Sequence, residues 1–121
     1  MVKRTGPTNV HLRKLIRFLE RASNENEARI WRYVAELLSK PTRQKIEVNL
    51  GKIDRYTKEG DIIVVPGKVL GVGKLTKRVT IAAWKFSENA SLKARRSGAN
   101  VITIEELVKS NPTGSNIKII I

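Results

Sequence analysis

The sequence predicts an α/β protein: a helical hairpin at the N-terminus, then a domain in which strands and short helices alternate. Apolar residues recur at helical spacing through residues 9–40, and the period shortens to two near residue 46. From there, apolar runs of strand length alternate with tracts that carry helix-capping signals. No interdomain linker, internal repeat or low-complexity tract interrupts residues 9–121. That stretch therefore reads as one domain, with 9–40 the hairpin and 46–121 the α/β core.

Residues 1–8 have no period and read as a flexible basic arm. Its Lys3 and Arg4 either order against nucleic acid or are incidental charge on a frayed end. Asn9 suits the N-cap of a helix running to about Ser23. Leu12, Leu15, Ile16, Leu19 and Ala22 share one face of it, and Arg13, Lys14, Arg17 and Arg21 the opposite one. Like charges at i, i+4 and i+8 destabilise an isolated helix by a few tenths of a kcal/mol per pair, so this face asks for an anionic partner. Asn24-Glu25-Asn26 should break the helix, and a second should run from Glu27 to Ser39, stopped by Lys40-Pro41. Its buried stripe is Ile30, Trp31, Val34, Leu37 and Leu38, while Glu27, Arg29, Arg32 and Glu36 mix signs as a plain solvated face does.

Ile46, Val48 and Leu50 alternate with Glu47 and Asn49, as a half-buried strand does. Residues 51–57 read as either a loop or one helical turn, with Tyr56 either in the core or exposed where it can stack on a base. Ile62 to Val65 is a continuous apolar strand. Pro66-Gly67 after it suits a type II turn, and Gly71 and Gly73 leave room for another molecule's backbone to approach. Lys52, Arg55 and Lys58 before this tract, and Lys68, Lys74, Lys77 and Arg78 within and after it, make it a basic platform suited to phosphate. A strand follows from Arg78 to Trp84, with Val79, Ile81 and Ala83 on its apolar side. Ser87 caps a helix that Gly98 ends at C′. Arg95 and Arg96 lie in its last turn, where the helix dipole alone accounts for cations, so they rank as weaker contacts than the first helix. Asn100–Thr103 is a strand, Thr103 with Glu106 forms a capping box, and 111–114 is a loop. The closing tract 117–121 is apolar enough that it must pair with the sheet or dock on a neighbour.

Charge narrows the function classes. There are 24 Lys+Arg against 11 Asp+Glu, a net charge of +13 divided almost evenly between the two halves. A folded domain with that self-repulsion is stabilised by a polyanion: nucleic acid first, an anionic membrane surface second. No apolar run reaches the ~20 residues of a membrane span. Without cysteine there is no disulfide, thiolate or thiol nucleophile. Gly67 to Lys74 is spaced G-x5-G-K rather than G-x4-G-K, and Leu75 replaces the Ser/Thr that would hold magnesium. His11, the one histidine, reads as a surface residue or phosphate contact rather than a catalyst. Asp54, Glu59 and Asp61 have no apolar surroundings to raise a carboxyl pKa. Neither catalysis, a metal, a cofactor nor a small-molecule substrate is expected.

The tracts Val48-Asn49-Leu50-Gly51-Lys52-Ile53, Val64-Val65-Pro66-Gly67-Lys68-Val69-Leu70-Gly71 and Ala83-Trp84-Lys85-Phe86-Ser87 resemble the large-subunit ribosomal protein family called eighteen-e. That archaeal and eukaryotic family is related to bacterial large-subunit ribosomal protein fifteen. The resemblance covers nearly the whole chain. It implies an α/β core built as an irregular β-β-α superhelix, and a non-catalytic protein bound to large-subunit ribosomal RNA beside other ribosomal proteins in the cytoplasm. It also places Lys52, Arg55, Lys68, Lys74, Lys77 and Arg78 in the family's basic motif region. The short length points to an archaeal source. The alternative from another class is a free-standing chromatin or RNA-chaperone protein that binds polyanions indiscriminately.

Overall fold

A computed structural model describes residues 10–40 and 46–121. The expected arm at 1–8, the Asn9 cap and Pro41 lie outside the described residues. The α/β class and the N-terminal helical hairpin are both present. Helix α1 (Val10–Asn26) and helix α2 (Arg29–Ser39) form the hairpin. Helix α1 runs three residues beyond its expected end at Ser23. The Asn26 amide donates to the Ala22 carbonyl at 2.9 Å, within the last turn, so Asn26 extends the helix instead of ending it. Glu27, with φ 50°, reverses the chain, and the Ala28 N–H returns to the Ser23 carbonyl at 3.0 Å in a Schellman-type closure.

The sheet is five-stranded and wholly parallel. Strands β1 (Glu47–Asn49), β2 (Ile62–Leu70), β3 (Thr80–Phe86) and β4 (Asn100–Thr103) lie in that order, and β5 (Ile117–Ile119) also pairs with β2. Strand β5 takes Ile62–Val64 and β1 takes Lys68–Leu70, so the two share one edge of β2 end to end. The closing isoleucines thus pair with the sheet, and the Ile120 N–H continues the ladder to the Val64 carbonyl at 3.1 Å. Helix α3 (Leu50–Tyr56) resolves the ambiguous tract as helix. Helices α4 (Glu88–Arg96) and α5 (Ile104–Ser110) complete the fold. Among the described residues no helix is long and apolar enough to cross a membrane.

The Pro66-Gly67 turn is a correction: β2 runs straight through both residues. The register against β3 passes from Val65↔Ala83 to Lys68↔Lys85, so Pro66 and Gly67 together oppose Trp84 in a bulge. A bulge is where a central strand tolerates proline, which has no ladder donor. Gly67 is required by proximity, not by φ: a Cβ there would meet the Ile46 carbonyl oxygen at 2.4 Å.

Two cores follow from strand alternation. Ile63, Val65 and Ile81 face one way and pack with Leu50 and Ile53 of α3 and Ala90 and Ala94 of α4. Val64 and Ala82 face the other way and pack with Leu12, Leu19, Trp31, Val34 and Leu107 of α1, α2 and α5. Ala82, expected on the polar side of its strand, is therefore buried, because helices cover both faces of a parallel sheet. Trp31 is core, as expected, and its indole N–H donates to the Pro112 carbonyl at 2.7 Å. The cap signals are as expected. Ser87 Oγ accepts from the Ala90 N–H, Thr103 and Glu106 form the capping box, and Gly98 (φ 88°) closes α4 with Schellman bonds to Ala94 and Arg95.

Candidate nucleic-acid interface

The connection from β2 to β3, residues 71–79, makes a parallel crossover without a helix. Its backbone bonds reach elsewhere. The Val72 carbonyl accepts from the Gly51 N–H at 3.1 Å, and Asp54 Oδ1 accepts from both the N–H (2.9 Å) and the hydroxyl (2.8 Å) of Thr76. Glu59 accepts the Arg78 N–H, and Lys93 Nζ donates to the Gly71 carbonyl at 2.7 Å. The loop is thus strapped across the face that carries α3 and α4. The expectation that Gly71 and Gly73 leave space for another molecule is corrected: this chain fills it. A Cβ on Gly71 would lie 2.9 Å from Ala90 N, and one on Gly73, at φ 86°, would lie 2.8 Å from Gly51 Cα. The glycines make the platform rigid rather than open.

This strapping brings cations together from distant parts of the chain. Lys74 and Arg96 line one groove with Gly73, Leu75, Thr76, Lys93 and Ser97. The Arg78 side chain lies over the end of α4, its Cγ 3.3 Å from where a Gly98 Cβ would stand. Lys74, Arg78, Arg95 and Arg96 are all exposed, and so are Arg55 and Lys58 near the end of α3 and Lys68 on β2. Two residues of the basic motif region are tied to carbonyls of this chain. Lys77 Nζ donates to the Asp54 carbonyl and, at 2.7 Å, to that of Thr57, closing the end of α3. Lys52 Nζ donates to the Ile121 carbonyl at 2.6 Å. Lys3 and Arg4 lie outside the described residues.

The hairpin carries a second basic face. Arg13, Lys14, Arg17 and Arg21 are all exposed on α1, opposite the buried Leu12, Leu19 and Ala22. Among the described residues two ion pairs form, Lys118–Asp61 at 2.9 Å and Lys109–Glu105 at 3.5 Å, and neither involves these four cations. Asp54, Glu59 and Glu106 accept backbone N–H groups instead, and Asp61 accepts the Lys58 N–H besides its ion pair. The net positive charge therefore faces solvent from both faces of the sheet. Tyr56 is 61% exposed at the end of α3, which settles the choice between core and surface.

Lys93 and Lys85 were not singled out in the sequence. Lys93 pins the glycine loop, and Lys85 lies 5.8 Å from the Trp84 ring centroid, within cation–π range. Only the neighbouring Trp84-Lys85 pair left a sequence signal; the Lys93 contact spans 22 residues and left none.

The hydrogen bonds from the Thr76 N–H and hydroxyl hold the Asp54 carboxyl below the ordinary 3.8. The Lys58 N–H and the Lys118 ammonium do the same for Asp61. A carboxyl with a depressed folded pKa adds stability above the unfolded value and loses it as pH falls through the folded one. Melting temperature is therefore expected to fall below about pH 4, and less steeply in D54N/D61N than in the native chain. Parallel slopes from pH 6 to 2 would count against these bonds. No cluster of three or more His, Asp or Glu suited to a metal ion occurs among the described residues.

The fold and surface define a class: a strongly basic α/β domain, rigidly braced, whose cations face solvent on two sides. Residues 2–121 match the family described as "Ribosomal protein 60S L18 and 50S L18e", and the chain belongs to that family. It is 51% identical over 117 residues to "Large ribosomal subunit protein eL18" of Pyrobaculum aerophilum, covering 97% of this chain and 96% of the relative. Similarity to the protein of the same name from Methanopyrus kandleri is 51% over 121 residues, covering 96% and 95%. For that of Methanoregula boonei it is 48% over 120 residues, covering 99% of both. All three relatives are archaeal.

Proposed function

We propose that this chain is a structural constituent of the large ribosomal subunit that binds and stabilises folded ribosomal RNA through phosphate contacts, beside other ribosomal proteins in the cytoplasm. Its role is architectural rather than catalytic. The observation that carries the reading is the solvent-facing cation set: among the described residues two of the chain's 24 lysines and arginines form ion pairs, and the whole net +13 is left for an external anion. The contact residues are Arg13, Lys14, Arg17 and Arg21 on α1, then Lys74, Arg78, Arg95 and Arg96 around the β2–β3 loop and α4. Arg55, Lys58 and Lys68 contribute from the same domain. Double-stranded RNA hides its base edges in a narrow major groove, so such a surface reads backbone and shape.

The test is affinity for a large-subunit ribosomal RNA fragment as a function of salt. With roughly 6–10 phosphate contacts, affinity should fall by about 10³–10⁵ between 50 and 200 mM salt. R13Q/R17Q/R21Q should flatten the log–log slope by about 2–3 without lowering the melting temperature, since it removes like-charge repulsion along α1. An unaltered slope in that variant would remove α1 from the interface. Release of the native chain from the subunit in high-salt sucrose gradients would favour the indiscriminate polyanion binder instead.

A further inference from the structure

On β3, Trp84 follows three buried residues, Ile81 to Ala83, yet remains only half-buried. By strand alternation it shares the face of Ala82, the side packed by α1 and α5. Pro66 and Gly67 oppose it in the bulge of β2, a device that re-aims a side chain. Beside Trp84 lies a cavity of about 380 Å³, bounded by α1, β3 and the start of α5. That volume falls in the range of small-ligand pockets. It also lies toward the carboxyl ends of β3 and β4, where open parallel sheets hold ligand crevices. Leu15, Phe18, Trp84 and Ile104 give it apolar and aromatic walls. Its charges are mainly positive. Lys14 lines it and is exposed, and Lys85 stands 5.8 Å from the Trp84 ring centroid. Glu105, the carboxylate in the lining, is paired with Lys109 at 3.5 Å.

We infer that this cavity takes one unpaired nucleotide of the RNA, its base stacked on Trp84 and Phe18 and its phosphate held by Lys14 and Lys85. Aromatic walls with lysines beside them match a flat ring that carries an anion. A base inside a duplex cannot enter, because its neighbours cover both of its faces, whereas a splayed-out base stacks readily on aromatic side chains. The inference rests on the RNA-binding reading above and adds a second mode to it: most of the basic surface reads backbone, and this one site selects an unpaired position. Every base has a face to stack, so the site should tolerate any base identity. Lys14 also belongs to the exposed basic side of α1, so a strand held by that helix passes directly beside the cavity.

The test uses the full chain and two RNA probes at one fixed salt concentration: a duplex with a single unpaired adenosine, and the same duplex fully paired. The native chain should bind the first about tenfold more tightly. The first probe should also quench tryptophan fluorescence, through Trp84, because Trp31 is fully buried and out of reach. Trp84→Leu keeps an apolar side chain but cannot stack, and should bring the preference close to one while binding the paired duplex as the native chain does. Trp84→Phe should retain most of the preference. Equal affinity of the native chain for the two probes, with no quenching, would overturn the nucleotide site and leave the cavity to an apolar segment of a protein neighbour. A preference that survives Trp84→Leu, or is lost equally in both variants, would also overturn it, since stacking on this ring would then not be the cause. Failure of the native chain to bind either probe would defeat the RNA-binding reading beneath it.

Discussion

Trp31→Ala is expected to destabilise the domain by about 3–5 kcal/mol, the largest effect of any single side-chain truncation here. Trp31 is fully buried between the hairpin and the sheet, in one cluster with Leu12, Leu19, Val34, Val64 and Leu107. Removing the indole opens a cavity lined by four elements that cannot collapse together, since each is held by its own ladder or helix. It also strips the Pro112 carbonyl of its donor. That carbonyl lies in the loop leading into β5, so the damage should extend to the pairing of Ile117–Ile119 with β2. Urea unfolding followed by the fluorescence of Trp84, then the sole tryptophan, measures the loss directly. Trp31→Phe, which keeps most of the volume, should lose less than half as much. Equal losses in the two variants would place the energy in the hydrogen bond rather than in packing.

Gly67→Ala is expected to cost about 3 kcal/mol, although it adds a single methyl group. The new Cβ would stand 2.4 Å from the Ile46 carbonyl oxygen and 2.6 Å from Ile46 Cγ2. The Ile46 carbonyl also accepts the Lys68 N–H at 3.0 Å, the bond that seats the short strand β1 on β2. Relief requires β1 to move away, which breaks that bond and unseats Val48 and Leu50 from the core. The melting temperature should drop by about 10 °C for a domain of this size, and the Lys68 amide should lose its protection from hydrogen exchange. A variant that melts with the native chain would mean that β1 does not approach Gly67 this closely.

Gly67 also shows where sequence reading stops. Pro-Gly is a local turn signal, and its local reading was reasonable; a strand arriving from residue 46 decided otherwise, and no near-neighbour pattern records that arrival. The tract Asn24-Glu25-Asn26 failed for a related reason. Asparagine is a helix breaker when its amide competes with the backbone, but Asn26 satisfies a carbonyl of its own last turn. Gly71 and Gly73 were recognised as sites of close approach, yet the approaching backbone is α3 and α4 of the same chain. Lys52 and Lys77 were indistinguishable in sequence from Arg55 and Lys58. Only the folded chain puts the carbonyls of Ile121, Asp54 and Thr57 within reach of the first pair.

The sequence alone determined much of what depends on neighbours two to four residues apart. That includes the amphipathic α1 with its arginine row, the Ser87 and Thr103 caps, the Gly98 stop, the strand at Asn100–Thr103 and the excess of positive charge. These follow from i, i+3 and i+4 geometry and from counting, which no tertiary contact alters. The tertiary structure decided which cations are tied to this chain's own carbonyls, what fills the glycine loop, and on which side of the sheet each basic face lies. Those outcomes depend on contacts between residues far apart in the chain, where packing and unsatisfied backbone groups, rather than local preference, select the arrangement.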